Sequence, residues 1–171
     1  MIHSDNPFVD EPDSRDPVRR FRGRLTAPVT IVTAGNGNDK TGLTVASLIV
    51  IEGEPGGVEA VIGPRSDLWE AVAESGHFVV HICSDTHQAR AEVFAGLRPS
   101  PGGIFAGLAV TESEWGPVID DMTNRAYCTF ASRREVGYSG LVSGRIDQVD
   151  LAEIAPPLTY FRGRYHTLPK P

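Results

Sequence analysis

The sequence predicts a mainly β, barrel-like α+β domain, and two observations carry that prediction. Apolar runs of strand length recur between clusters of glycine, proline, asparagine and acidic residues. Only two interposed segments sustain a helical period, and they do not alternate regularly with the runs, as a doubly wound parallel sheet would require.

The elements follow in order. Residues 1–16 are rich in proline and acidic side chains (Pro7, Asp10, Glu11, Pro12, Asp13) and read as a mobile arm, with one domain over 17–171. Val18, Phe21 and Leu25, with arginines between them, have the spacing of a short amphipathic helix. Strands are expected near Val29–Ala34, Leu43–Ile51 and Val58–Gly63. Gly35-Asn36-Gly37-Asn38-Asp39-Lys40 makes the first two a hairpin, because these residues tolerate positive φ. Ser66 or Asp67 is placed to cap a helix that buries Leu68, Trp69 and Val72 and ends at Gly76. His77–Cys83 reads as a buried strand, and Thr86–Leu97 as a second helix through Ala89, Val93, Phe94 and Leu97. A Gly/Pro loop, Pro99–Gly107, is long enough to act as a flap. Tyr127–Ala131, Leu141–Val149 and Leu158–Phe161 complete the strands.

Composition narrows the function. A chain of 171 residues supports one domain with a real core, since ~150 residues bury roughly 70% of their extended surface. A net charge of −6, with one basic cluster from Arg15 to Arg24, argues against nucleic acid as a partner. No apolar run approaches membrane-spanning length, and the opening residues lack the basic and apolar regions of a signal peptide, so the cytoplasm is expected. Cys83 and Cys128 sit in apolar strand sequence and read as buried thiols.

Several motifs fail. Lys40-Thr41-Gly42 matches one element of the penicillin-binding serine enzymes, but neither Lys40 nor Lys170 stands in the required S-x-x-K. Gly35-x-Gly37 with Gly42 lacks the spacing and the long helix of a dinucleotide-binding turn. The five histidines include no H-E-x-x-H, and no metal is assigned. The most informative stretch is Thr41-Gly42-Leu43-Thr44-Val45-Ala46-Ser47, whose glycine permits close backbone approach and whose hydroxyls and N–H groups suit an anionic ring ligand. Taken alone, it equally fits a polar hairpin edge.

From about Phe21 to its end the chain resembles the flavin reductase-like family, FMN-binding split β-barrels that reduce flavin with NAD(P)H. The resemblance is carried in order by Pro28–Thr33, Gly42–Ser47, Ser66 before its helix, Gly76–Ser84, His87-Gln88 with Val93–Gly96, Pro101–Phe105, Tyr127-Cys128 and Pro157–Tyr165. It implies a split-barrel fold, FMN or FAD as cofactor, NAD(P)H as co-substrate, a homodimer and a partner monooxygenase. An FMN-binding protein that uses no nicotinamide is the alternative.

By the same resemblance, Thr41, Gly42, Leu43, Thr44, Val45, Ala46 and Ser47 line the isoalloxazine and ribityl chain. Arg65 and Ser66, with Ser84 to Gln88, approach the phosphate, which suits a helix start offering free N–H groups beside a guanidinium. Phe94, Phe105 and Tyr165 are expected to cover the ring. His81 is counted among the flavin contacts, at a strand position where the family often has Asn. Gly137-Tyr138-Ser139 replaces a Gly-Asp-His motif tied to nicotinamide, so Tyr138 and Ser139 are the expected substitutes, by stacking and hydrogen bonding.

Overall fold

Pairing successive strands through tight turns yields a wholly antiparallel architecture, and the computed structural model, which describes residues 16–169, defines its order. The elements are α1 (Pro17–Arg22), β1 (Ala27–Pro28), β2 (Thr30–Ala34), β3 (Thr41–Val45), β4 (Leu48–Ile51), β5 (Gly57–Ile62), α2 (Asp67–Ser75), β6 (His77–Ile82), α3 (Gln88–Phe94), β7 (Val110–Ser113), β8 (Gly116–Ile119), β9 (Arg125–Val136), β10 (Ser139–Asp150), β11 (Leu158–Phe161) and β12 (Arg164–Thr167). The arm expected over residues 1–16 lies outside the described residues, apart from Asp16.

One sheet holds seven strands in the order β3-β2-β6-β9-β10-β5-β4. Its two end strands are separated in the chain only by Ala46 and Ser47. The three steps from Val45 to Leu48 span at most ~11 Å, whereas the end strands of a flat seven-stranded sheet would stand ~29 Å apart at ~4.8 Å per strand. The sheet therefore curls until its ends meet, and Val61 N–H donates to Ser47 O across the join at 2.8 Å. This is the barrel that the strand pattern predicts. The expected single strand Leu43–Ile51 is broken at Ala46-Ser47 because the chain there changes from one end of the sheet to the other.

Two cores result. Inside the curl, Val32, Val45, Ile62, Phe78, Cys128 and Val142 pack with Leu68, Trp69 and Val72 of α2. Outside it, Ile31, Cys83, Ala91, Phe94, Met122 and Leu158 join α3 and β11 to the sheet. β2 lies between the two cores and is buried at every position, which explains its unbroken apolar character. Its two hydroxyls are satisfied internally, Thr30 Oγ1 donating to Val45 O at 2.7 Å and Thr33 Oγ1 to Pro117 O at 2.6 Å. Cys83 and Cys128 are buried free thiols, and burial pushes both up to about 12.

Ser66 caps α2 by accepting from Trp69 N–H at 3.3 Å, and Gly76 ends it at φ 72°. Thr86–Leu97 divides into a 3₁₀ turn, Asp85–His87, and the shorter α3. The strands β7, β8 and β12 were not expected, since they are short and carry Pro117 or mostly polar side chains. The amphipathic spacing near the start does produce a helix, with Asp16 Oδ1 accepting from Val18 N–H at 3.2 Å. Its apolar side chains are nevertheless uncovered, at 72% exposure for Val18 and 66% for Phe21.

Candidate functional site

The two faces of β3 are already occupied over most of its length. Leu43 and Val45 turn inward to the barrel core. On the opposite face, Thr44 Oγ1 donates to Ala91 O of α3 at 2.7 Å, and the space above Gly42 is filled by the Phe94 ring. Gly42 is thus required by the packing of a helix on the strand. Phe94 is itself buried, edge-on to Phe105 with ring centroids 5.3 Å apart, so it belongs to this packing and presents no open ring face. Lys40 Nζ lies 5.7 Å from the Phe105 ring centroid, holding the Pro99–Gly107 loop near the start of β3.

What β3 leaves open is its far end, the corner Ala46-Ser47. Because Phe94 lies on Gly42 and Ala91 on Thr44, α3 runs antiparallel to β3 and directs its first residue, Gln88, toward Ala46. Gln88 Nε2 donates to Glu92 Oε1 at 2.9 Å. Before it, Ser84 N–H and Oγ both approach His87 Nδ1, at 3.0 and 3.2 Å. That acceptor role leaves the neutral ring's proton on Nε2. Burial lowers the basicity of His87, with the Arg90 guanidinium adding to the effect. On the other side of the corner, β5 bonds to Ser47 through Val61 and continues into the turn Gly63–Ser66. Ser66 Oγ donates to Gly63 O at 2.7 Å while capping α2, and Arg65 is exposed beside it. The first-turn N–H groups of α2 have no partners within the helix.

A cleft of about 1090 Å³ opens from Ala46 and Ser47, with Tyr160, Val61 and Leu141 in its lining. Sequence reasoning missed Tyr160 as a lining residue. It packs edge-on with Tyr165, centroids 5.2 Å apart, and burial raises Tyr165 to about 12. Thr41, half-buried at the start of β3, is five strand positions away at the opposite end from the corner.

His81 is corrected from a ligand contact to a framework residue. It has no exposed surface; Nδ1 donates to Ile31 O at 3.2 Å and Nε2 accepts from Ile119 N–H at 3.1 Å. Burial pushes it down to about 4, so the ring is neutral at ordinary pH. Tyr138 and Ser139 form the end of the long β9–β10 hairpin, where Gly137 has φ 59° and Tyr138 is fully exposed. Leu141, two residues beyond Ser139, lines the cleft.

The arrangement is suited to binding. The elements that run to the corner bring backbone N–H groups, the Ser66 and Ser84 hydroxyls, the Gln88 amide and the Arg65 guanidinium, Glu59 and several arginines line the cleft beside it, and burial lowers the basicity of His87 and raises Tyr165 to about 12. Among the described residues no helix is long and apolar enough to cross a membrane.

Comparison with known proteins agrees with this fold. The model of the flavin reductase like domain matches residues 22–169. The NADH-dependent FMN reductase AsuE2 of Streptomyces nodosus subsp. asukaensis is 31% identical over 160 residues, covering 92% of this chain and 86% of that protein. The reductase component of the 4-hydroxyphenylacetate 3-monooxygenase of Thermus thermophilus is 28% identical over 145 residues, covering 85% and 91%. Among solved structures, the flavin reductase PheA2 superposes with a TM-score of 0.79 at 25% identity, over 91% of this chain and all of that one.

Proposed function

The chain belongs to the flavin reductase like family, and from that premise we propose that it is an NAD(P)H-dependent flavin reductase that supplies reduced flavin to the oxygenase of a two-component monooxygenase. The observation that carries the reading is the convergence on Ala46-Ser47 of the α3 start and the Gly63–Ser66 turn, beside a cleft at the upper end of the ~300–1,000 Å³ typical of small-molecule sites. The corner and its donors fit a ring bearing a phosphate. When bound, the flavin supplies the ring that accepts hydride from nicotinamide. The protein binds and orients: Ala46 and Ser47 meet the ring and ribityl portion, while Arg65, the α2 start, Ser84 and Gln88 face the phosphate. No side chain is needed as a general acid or base.

A second copy completes the pocket in this reading. Ile49, Val50 and Ile51 of the end strand β4 are exposed, as are Val18, Phe21 and Leu25 of the α1 segment, a larger set of uncovered apolar side chains than a monomer ordinarily presents. Two buried thiols and the absence of a membrane-crossing helix among the described residues support a cytoplasmic setting.

Titration of the protein with FMN, followed by flavin fluorescence, tests the reading; no binding overturns it. Arg65→Ala is expected to weaken FMN roughly ten- to hundredfold, as loss of a charged hydrogen bond implies, and to leave riboflavin unaffected. Equal effects on both would move the phosphate elsewhere. Tyr138→Ala is expected to raise the KM for NAD(P)H about two- to tenfold with FMN affinity unchanged, because the exposed ring is free to stack on nicotinamide. An unchanged KM would leave Tyr138 as a turn residue only.

A further inference from the structure

The cleft beside Ala46-Ser47 is basic and apolar at once. Arg19, Arg20, Arg22 and Arg24, from α1 and its continuation, line it together with Arg162, and all five are exposed. The sole carboxylate in the lining is Glu59, whose Oε2 accepts from Ser143 Oγ at 2.9 Å. None of the five arginines pairs with a carboxylate among the described residues, and the single side-chain hydrogen bond among them runs from Arg24 Nη1 to Arg20 O at 3.4 Å. Ile49, Val61 and Tyr160 add apolar surface to the same lining. Five unpaired guanidinium groups around one opening, in a chain whose net charge is −6, call for an anionic occupant with apolar side chains of its own.

The chain carries such a complement immediately before α1. Residues 1–16 hold Asp5, Asp10, Glu11, Asp13 and Asp16 against the single guanidinium of Arg15, whereas residues 17–24 hold four arginines and no carboxylate. Phe8 and Val9 stand directly before the densest acidic run, so charge and apolar character are combined as they are in the cleft. Residues 1–15 lie outside the described residues and are joined to the cleft wall through Asp16, the cap of α1. A chain of that length extends up to ~50 Å, several times the breadth of a cleft of about 1090 Å³. Exposed ion pairs are individually weak, but a short tether holds the two partners at an effective concentration of about millimolar. We propose that residues 1–15 of this chain occupy the cleft, their carboxylates on the α1 arginines and Arg162 and Phe8 on its apolar wall. Because the cleft opens from Ala46-Ser47, the segment and the flavin ring then compete for one space. The docking stands on the cleft and the segment alone; the competition rests on the flavin reductase reading. The surface assigned to a second copy is mostly separate, since Val18, Phe21, Val50 and Ile51 do not line the cleft.

The test is hydrogen exchange of residues 1–15 in the full chain, for the wild type, the segment variant Asp10→Asn/Glu11→Gln/Asp13→Asn and the wall variant Arg20→Gln/Arg24→Gln, together with riboflavin titrations at low and high salt. Asp16, which caps α1, is left in place. The amides of the segment are expected to exchange about tenfold more slowly in the wild type than in either variant, and to lose that protection when FMN saturates the protein. Identical exchange in all three proteins overturns the proposal. Protection that disappears on dilution also overturns it, and makes a second copy the partner of the segment. Riboflavin carries no charge, so its affinity reads the competition without the phosphate's own salt dependence. It should tighten about three- to tenfold between ~20 and ~300 mM salt in the wild type, as screening frees the cleft, and stay constant in the segment variant. A riboflavin affinity independent of salt in the wild type, with the segment protected, overturns the competition. Failure to bind any flavin, with that protection present, overturns the function and leaves the docking standing.

Discussion

Replacing His81 with alanine is expected to destabilise the fold by ~3–5 kcal/mol and to remove a part of its acid sensitivity. The imidazole is fully buried and bridges two backbones, donating from Nδ1 to Ile31 O in β2 and accepting at Nε2 from Ile119 N–H in β8. Truncation leaves a cavity and an unpaired Ile119 N–H, a buried orphan that costs ~1–3 kcal/mol, while Ile31 O keeps its ladder partner between β2 and β6. The pH dependence has a definite sign. The folded ring titrates at about 4, below the ordinary value of 6.5, so between those limits the unfolded chain binds a proton that the folded one does not. Stability is therefore complete above about pH 6.5 and declines as pH falls toward 4, by up to ~1.4 kcal/mol per unit. Urea unfolding at pH 7 and pH 5 should show the wild type losing ~2 kcal/mol more than the alanine variant. Identical losses would mean that His81 titrates alike folded and unfolded.

Gly42→Ala is the second large effect. A Cβ at this position stands 2.7 and 2.9 Å from two atoms of the Phe94 ring and 3.1 Å from Val32 O. Phe94 cannot swing away, since it is buried between Ala91, Leu158 and Phe105. α3 must shift outward, at a cost of ~1–3 kcal/mol, and its first residues move with it from the Ala46 corner. Lower thermal stability and weaker flavin binding are expected together, and Phe94→Leu in the same chain should restore a large part of both by making room. Unchanged stability in the single variant would show that the strand and helix are less tightly apposed than the geometry implies.

The architecture was legible where local chemistry and tertiary packing agree. β2, α2 with its Ser66 cap and Gly76 stop, and β11 lie where their residues put them, because turn chemistry and burial pattern are encoded within a few positions. The break at Ala46-Ser47 was not legible, since closure of a seven-strand sheet is a property of its two ends, which no local window contains. The framework role of His81 and the packing role of Gly42 were missed for a related reason. A glycine or a polar side chain in an apolar strand signals a close neighbour or a buried partner, and the sequence does not say whether that neighbour is ligand or protein. Here the neighbours are Phe94 for the first and Ile31 and Ile119 for the second. The α1 arginines appeared only as a basic cluster until the cleft brought them together with Arg162.

The reaction itself is tested most directly by anaerobic mixing of the protein with flavin and either NADH or NADPH, following nicotinamide and flavin absorbance together. Flavin reduction is expected to match nicotinamide oxidation one for one and to require the protein. A flavin that binds, with its fluorescence changed, yet stays oxidised in the presence of both nucleotides would contradict the assignment and leave a flavin-binding protein that draws its electrons from another donor.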